Sequence, residues 1–163
     1  MPSSEINRKL LGVISDTHGL IRPEAIEALQ GVEMILHAGD IGNQQVLDKL
    51  NEIAPVTAVR GNNDKDEWAR SLPDWDVVEV GNVSIYMLHN LNEIDISPSG
   101  AGFQVIVSGH SHKPSVSEQR GVLYVNPGSA GPRRFALPVS VAHLEIVNDK
   151  AEARIIELQR PKD

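Results

Sequence analysis

Seven side chains that can bind a metal ion follow short apolar segments of the sequence, at the points where those segments end. Each offers an imidazole nitrogen, a carboxylate oxygen or a carboxamide oxygen, and four of the six histidines are among them. The candidate ligands are Asp16, His18, Asp40, Asn62, His89, His110 and His112. Seven donors exceed what one tetrahedral zinc ion needs, but they suit two five- or six-coordinate ions that share a carboxylate. Two metal ions roughly 3.5–4 Å apart are the usual means of catalysing in-line attack at phosphorus.

The donor types also limit which metal can bind. The chain contains no cysteine, which excludes thiolate zinc sites, iron–sulfur clusters, disulfide scaffolds and cysteine nucleophiles. Imidazole combined with carboxylate and carboxamide oxygen forms a donor set of intermediate hardness. We therefore expect two divalent metal ions, manganese first, with nickel, zinc, iron, cobalt or magnesium as alternatives.

The first third of the chain predicts alternating strands and helices. Short apolar runs at residues 10–15, 32–38 and 55–59 are typical of buried strands. A helix is predicted to begin at Pro23, and a second helix is predicted over residues 43–51, where apolar residues recur at helical spacing. This βαβαβ order predicts a mainly parallel sheet covered by helices.

The rest of the chain predicts mostly strands. The dipeptide Gly81-Asn82 between two of the apolar runs is a hairpin signal. The predicted strands cover residues 77–80, 83–88, 104–108, 123–125, 139–146 and 153–158. We expect two packed sheets with helices outside them, forming a single domain over residues 1–163.

The predicted strand ends place the candidate ligands at one edge. Proteins with open α/β sheets bind small molecules and ions beyond the carboxyl ends of the strands. Glycines 39, 61 and 109 let the chain turn sharply just before three of the candidate ligands. Asp16 and His18, two residues apart, would share one side of an extended backbone. The sequence therefore predicts that the seven ligands converge.

The order of these motifs resembles a known family. In chain order the motifs are Asp16-x-His18, Gly39-Asp40, Gly61-Asn62-Asn63-Asp64, His89 at a strand end and Gly109-His110-x-His112. This order is similar to that of the calcineurin-like metallophosphoesterase superfamily. The short chain and the segment Asn126-Pro127-Gly128-Ser129 resemble its small bacterial and archaeal phosphodiesterase branch. The resemblance implies an α/β fold, a four-layer αββα sandwich of two mixed β-sheets flanked by helices, with a dinuclear site at the strand ends.

The resemblance also implies a role for each ligand. Asp16, His18 and His112 would hold one metal, Asn62, His89 and His110 would hold the other, and Asp40 would bridge them. A hydroxide bridging the metals would attack phosphorus in line, and Asn62 would bind non-bridging phosphate oxygens. We also expect Asp64 to orient a ligand such as His18 or His89 by hydrogen bonding to the free ring nitrogen of that histidine.

One position departs from the family pattern. Many members carry a histidine directly after the motif asparagine, where it is thought to protonate the leaving group, and this chain has Asn63 there. An amide cannot act as a general acid near neutral pH. We therefore expect a preference for leaving groups that need little protonation, or a water molecule in that role. Arg133 and Arg134 are candidate phosphate clamps.

Composition limits the partners. The net charge of −7 argues against a surface that binds a nucleic-acid duplex. The chain has only six aromatic residues, which argues against a platform on which successive bases of a nucleic acid stack. Neither a signal peptide nor a membrane-spanning run is evident, so we expect no membrane contact and a cytoplasmic location. The expected partner is a small phosphate-ester substrate, and a homodimer is an open alternative to a monomer.

The leading hypothesis is a metal-dependent phosphodiesterase that hydrolyses small phosphate diesters by means of the bridging hydroxide. One alternative is a phosphatase acting on small phosphomonoesters or on protein substrates. Another is a non-catalytic scaffold, because the small subunit of the retromer coat uses the same fold for protein contact. A scaffold does not need a full ligand set, and this chain retains all seven donors. That difference favours the enzyme.

Overall fold

Two five-stranded sheets organise the part of the chain that the computed structural model describes, residues 8–133 and 136–158. In chain order the strands are β1 (Arg8–Ile14), β2 (Met34–His37), β3 (Val56–Ala58), β4 (Trp75–Val80), β5 (Val83–Leu88), β6 (Val105–Val107), β7 (Ser115–Gln119), β8 (Val122–Asn126), β9 (Ser140–Val147) and β10 (Lys150–Glu157). The first sheet has the order β10-β9-β1-β2-β3 and the second β4-β5-β6-β8-β7. Both sheets are mixed, since each joins parallel and antiparallel pairs.

The predicted βαβαβ unit is confirmed in the first sheet. Strands β1, β2 and β3 are parallel, and helices α1 (Pro23–Ala28) and α2 (Gln44–Asn51) connect them. Proline opens α1, and the Asn43 side chain caps α2 by accepting a 3.1 Å hydrogen bond from the backbone N–H of Val46. The helices therefore begin where sequence signals place them.

The second sheet contains a hairpin and a parallel centre. β4 and β5 pair antiparallel around the predicted Gly81-Asn82 turn, while β5, β6 and β8 are parallel. The edge strand β7 is not among the predicted strands. All five of its residues are exposed, so it lacks the apolar alternation by which a half-buried strand is recognised.

Apolar side chains fill three layers between and outside the sheets. The layer between the sheets includes Leu11, Val13, Leu36, Ile85, Met87 and Val107. Both α-helices pack on the outer face of the first sheet, where Leu29 and Leu50 are buried. The outer face of the second sheet packs against Ile94, Ile96 and Phe103, from a loop that contains the 3-10 helix Leu91–Glu93. The predicted α/β sandwich of two mixed sheets is confirmed, with this short helix and its loop as the second outer layer.

The layers bring the ends of several strands together. β1, β2 and β3 run in one direction in the first sheet, and β5 and β6 are parallel in the second. Each of these strands is followed within a few residues by a candidate ligand. Within residues 8–133 and 136–158, no helix has the length and apolar character needed to cross a membrane.

Candidate metal centre

The seven predicted ligands meet in one continuous cluster. Two overlapping groups each place their ligand atoms within 4.8 Å of one another, and they share Asp16. The first group is Asp16, His18 and His112, and the second is Asp16, Asp40 and His89. The two remaining ligands, Asn62 and His110, adjoin these groups. His110 Nδ1 lies 3.3 Å from Asn62 Oδ1 and 3.3 Å from His89 Nε2.

Two carboxylates lie among the imidazoles. Asp40 Oδ2 is 3.3 Å from His89 Nε2 and 3.8 Å from His18 Nε2. Asp16 Oδ1 is 3.4 Å from His112 Nε2, and 3.8 Å from the Nε2 atoms of both His18 and His89. Each carboxylate therefore faces histidines that the family resemblance would assign to different metal ions.

The electron-pair donors at this centre fit a cation. Asp16 Oδ1 and His18 Nε2 are buried, and neither makes a hydrogen bond with the described residues. A buried polar atom without a partner is costly and uncommon. Carboxylate oxygen and imidazole nitrogen are both ligands of divalent metals. The arrangement fits divalent ions held between these atoms.

The backbone turns sharply at most of the ligands. Five of the seven have positive φ angles, a conformation that is uncommon outside glycine and costs on the order of 1–3 kcal/mol per residue. They are Asp16 (55°), His18 (47°), Asp40 (55°), His110 (71°) and His112 (64°). The extended backbone that we predicted for Asp16-x-His18 is therefore wrong, because left-handed turns after Ile14 bring the two side chains together. Such strain concentrates at functional sites.

Residues from distant segments position Asp16. Its Oδ2 accepts hydrogen bonds from Ser15 Oγ at 2.7 Å and from the His110 backbone N–H at 3.1 Å. Ser129 Oγ donates to the Asp16 carbonyl at 3.0 Å. Ser15 was not predicted, whereas Ser129 belongs to the segment whose resemblance to the family was noted. These bonds leave Asp16 Oδ1 directed toward the histidines.

A buried histidine supports the loop that carries His18. The backbone N–H of Gly39 donates to His37 Nδ1 at 3.1 Å, which leaves Nε2 to donate to Thr17 Oγ1 at 3.0 Å. The Thr17 hydroxyl then donates to the Ile41 carbonyl at 2.7 Å. Burial is the main cause that lowers the pKa of His37, to about 3. The neutral ring therefore serves as a fixed link between the ends of β1 and β2.

The charge states of Asp40 and His89 depend on each other. Burial alone would raise the pKa of Asp40, but hydrogen bonds from His89 and from the Asn63 backbone outweigh it and hold the pKa at about 2. Burial alone would lower the pKa of His89, but the carboxylates of Asp40 and Asp16 raise it. His89 Nδ1 contacts the Ala38 carbonyl at 2.8 Å, which turns Nε2 toward the carboxylates. Asp40 is therefore ionised at neutral pH.

The hydrogen bonds that the structure describes for Asp64 come from backbone N–H groups and not from the histidine ring that we predicted. Its buried carboxylate accepts hydrogen bonds from the backbone N–H groups of Ile41, Gly42 and Gly61 at 2.9–3.1 Å. The loops after β2 and β3 leave these N–H groups without strand partners, and one carboxylate satisfies all three. Asp64 is a positioning residue that ties the loop of Asp40 to the loop of Asn62.

Replacing Asp64 by Asn is expected to destabilise the metal-free protein by about 1–3 kcal/mol, because one of the two acceptor oxygens becomes an N–H donor and leaves a backbone N–H unsatisfied. Urea unfolding measures this loss. Asp66→Asn is the matched control, since Asp66 is exposed and its side chain does not cap the 3-10 helix that follows. Equal stability of the two variants would contradict the role of Asp64.

Asn63 also contacts Asp40. Its backbone N–H donates to Asp40 Oδ1 at 2.8 Å and its side-chain Nδ2 donates to Oδ2 at 3.1 Å. The position that many relatives fill with histidine thus holds an amide directed at a carboxylate ligand. Arg133, a candidate phosphate clamp, is exposed. Arg134 lies outside the described residues.

Two cavities flank the centre. One of about 600 Å³ reaches Asn62 and His89, and one of about 450 Å³ reaches His110. Asn90 lines both, so the segment after His89 separates them.

Comparison with known proteins identifies the family of the chain. The profile of the calcineurin-like phosphoesterase superfamily domain matches residues 10–149. The chain is 34% identical over 168 residues to a probable metallophosphoesterase of Methanothermobacter thermautotrophicus, covering 93% of this chain and 94% of that protein. It is 30% identical over 156 residues to phosphodiesterase YfcE of Escherichia coli K12, covering 80% of this chain and 84% of that protein.

A similar fold is found in the crystal structure of Chaetomium thermophilum Vps29, with a TM-score of 0.74 and 22% sequence identity. The match covers 92% of this chain and 97% of that one. At this identity the likeness concerns the fold alone. The family profile spans most of the chain and includes all seven ligand positions, so the chain belongs to the calcineurin-like phosphoesterase superfamily.

Proposed function

We propose that the protein is a metal-dependent phosphodiesterase that hydrolyses small phosphate diesters at a dinuclear site. The observation that carries the proposal is the convergence of seven ligands, two of which are the carboxylates Asp16 and Asp40. Each carboxylate faces histidines of both predicted metal positions. The relationship to phosphodiesterase YfcE supports a diester substrate.

The contacts support the ligand assignment that the motifs imply. Asp16, His18 and His112 would hold one divalent ion, Asn62, His89 and His110 the other, and Asp40 would be shared. Asp40 is suited to a shared position because its Oδ2 lies between His18 and His89. Manganese is the first candidate, and nickel, zinc, iron, cobalt and magnesium are alternatives, because imidazole nitrogen with carboxylate and carboxamide oxygen suits several divalent metals and the absence of thiolate gives no reason to prefer zinc.

Bound divalent ions would supply a hydroxide at neutral pH and offset charge on the attacking and leaving oxygens. The residues of the chain hold the reacting groups in place. Asp40, with a pKa of about 2, stays ionised. The side-chain amide of Asn63 donates a hydrogen bond to the Asp40 carboxylate and so helps to fix its orientation. Asn62 is exposed, and its amide would donate to a non-bridging phosphate oxygen.

Protonation of the leaving group limits the range of substrates. Asn63 cannot donate a proton as a general acid. Esters whose leaving groups are stable as anions, such as p-nitrophenolate, are therefore expected to react fastest. Alcohol leaving groups would need a proton from water.

The charge around the centre favours diesters over monoesters. The chain carries a net charge of −7, and the described charged side chains along the larger cavity are mainly acidic. A diester brings one negative charge to this region, whereas a monoester brings up to two at neutral pH. The scaffold alternative has no comparable support, because protein contact alone does not require seven converging ligands.

Hydrolysis of bis-p-nitrophenyl phosphate and p-nitrophenyl phosphate by manganese-loaded protein tests the proposal. We expect kcat/KM to be at least about tenfold higher for the diester, which corresponds to a difference of ~1.4 kcal/mol in transition-state stabilisation. A preference for the monoester would support the phosphatase alternative. Failure to hydrolyse either ester, by folded and metal-loaded protein, would support the scaffold.

A further inference from the structure

An exposed tryptophan lies beside the centre on the edge strand β4. Trp75 is the most exposed of the large hydrophobic residues in the described chain, at 56%. It pairs across the hairpin with Leu88, which directly precedes His89. The Trp75 ring stacks on Tyr86, with the ring centroids 5.6 Å apart and the planes 14° apart. The register of the hairpin therefore fixes a flat apolar surface close to a candidate metal ligand.

Buried and partly buried residues support the stack of Trp75 on Tyr86. Tyr86 is buried and contacts Phe103 edge-on, with the ring centroids 5.3 Å apart. One face of Trp75 is covered by Tyr86, while more than half of the residue remains exposed. An aromatic ring that is supported on one side and exposed on the other offers a stacking surface at little cost in side-chain ordering.

The larger cavity joins this surface to the centre. Its volume is about 600 Å³, and its lining includes Asn62 and His89 as well as Trp75, Tyr86 and Leu88. A phosphate held at the centre would therefore have one of its ester groups within this cavity.

The charges in the cavity disfavour a second anionic group. Among the described residues that line it, four are acidic and two are basic. The acidic residues are Asp64, Asp74, Glu93 and Asp95, and the basic ones are Arg60 and Lys65. Arg60 is already paired with Asp74, at 2.8 Å between Nη2 and Oδ1. A second phosphate would meet little free positive charge, whereas a neutral ring would meet no repulsion.

We propose that this cavity binds a neutral planar aromatic group, such as a nucleoside, carried on the ester oxygen that stays bonded to phosphorus during hydrolysis, and that Trp75 is the surface on which it stacks. This inference rests on the proposed function, because it places the substrate phosphate at the metal centre. It deepens that function by naming the class of diester, which has a single phosphate with a neutral aromatic group on one of its two ester oxygens.

Two diesters with the same leaving group test the proposal. Phenyl p-nitrophenyl phosphate and ethyl p-nitrophenyl phosphate both release p-nitrophenolate, and they differ in whether the retained group is aromatic. Trp75→Ala is expected to lower the ratio of kcat/KM for the phenyl ester over the ethyl ester about tenfold, mainly through KM. Trp75→Phe is expected to restore most of the ratio.

Val77→Ala is the matched control. Val77 lies two residues along the same strand and on the same face, is 38% exposed and does not line the cavity. It is expected to leave both rates unchanged. An unaltered ratio in Trp75→Ala, with both esters still hydrolysed, would overturn the aromatic site and leave the proposed function standing. A wild-type dimer that Trp75→Ala converts to a monomer would instead assign Trp75 to contact between copies and overturn the proposal.

A second readout does not depend on hydrolysis. Trp68→Phe leaves Trp75 as the one tryptophan of the chain, so fluorescence then reports on Trp75 alone. We expect adenosine to quench this fluorescence saturably and ribose to have no effect. Quenching without hydrolysis of either ester would mean that the proposed function fails while the aromatic site stands. Absence of saturable quenching would overturn the site.

Discussion

Replacing Asp40 by Asn is expected to lower diester hydrolysis about 1000-fold or more, a loss of ~4 kcal/mol in transition-state stabilisation. Asp40 Oδ2 lies between His18 Nε2 and His89 Nε2, and its low pKa keeps it charged. An amide is neutral, and it would turn either an N–H group or a weaker oxygen donor toward the ions. Hydrolysis of bis-p-nitrophenyl phosphate and metal content per chain measure the two consequences, and we expect less than one bound equivalent.

Asn63→Ala is the control for this variant. It removes the Nδ2 hydrogen bond to Asp40 but retains the backbone hydrogen bond at 2.8 Å and removes none of the seven ligands. We expect its metal content to stay near two equivalents and its rate to fall about tenfold, the effect of losing one positioning contact. If Asp40→Asn also retained two equivalents of metal, the shared position of Asp40 would be wrong.

Gly61→Ala is expected to reduce activity about 100-fold and stability by about 1–3 kcal/mol. A Cβ at Gly61 would overlap the backbone nitrogen and Oδ1 of Asp40. The φ angle of Gly61 lies outside the left-handed region, so the cost arises from this overlap and not from the dihedral angle. The neighbouring loop cannot move away freely, because Asp64 binds Ile41 and Gly61 at once.

Thermal unfolding and diester hydrolysis test Gly61→Ala, with Gly100→Ala as the control. Gly100 also has no positive φ, and the nearest atom to its added Cβ is the hydroxyl of Ser97 at 3.2 Å, at the end of a short rotatable side chain. We expect Gly100→Ala to change stability by less than about 0.5 kcal/mol. Wild-type activity in Gly61→Ala would show that Asp40 does not need its present position.

The positions of the ligands could be predicted because they depend on strand ends. Parallel strands are recognised by short apolar runs, and their carboxyl ends meet at one edge. Asp40 and Asn62 follow two such runs, and the glycine before each marks a sharp turn. The convergence of these residues follows from local patterns and from the rule of parallel pairing, without knowledge of any side-chain contact.

The contacts that position the ligands could not be predicted in the same way. His110 donates to Asp16 across 94 residues of sequence, and Ser129 does so across 113. No local pattern specifies which N–H or hydroxyl group will donate to the carboxylate or the backbone carbonyl of a residue so far away in the sequence. The predicted contact of Asp64 with a histidine shows the same difficulty, because the N–H groups that donate to its carboxylate belong to the backbone of two loops.

The positive φ angles at the ligand residues could not be predicted from the sequence either. Aspartate and histidine occur in extended and in left-handed conformations, and glycine is the residue type whose presence indicates a positive φ. The sequence therefore predicts the end of a strand at Asp16 and His18, although both residues have positive φ angles. Gly131 packs against the backbone carbonyls of Asp16 and Thr17, which shows how tightly this turn is enclosed.

Hydrolysis of bis-p-nitrophenyl phosphate by metal-stripped protein, titrated with manganese, nickel, zinc or magnesium, tests the dinuclear site most directly. We expect negligible activity in the stripped protein and a rate that rises with added metal until about two equivalents per chain are bound. Activity that persists without metal, or that reaches its maximum at one equivalent, would contradict it.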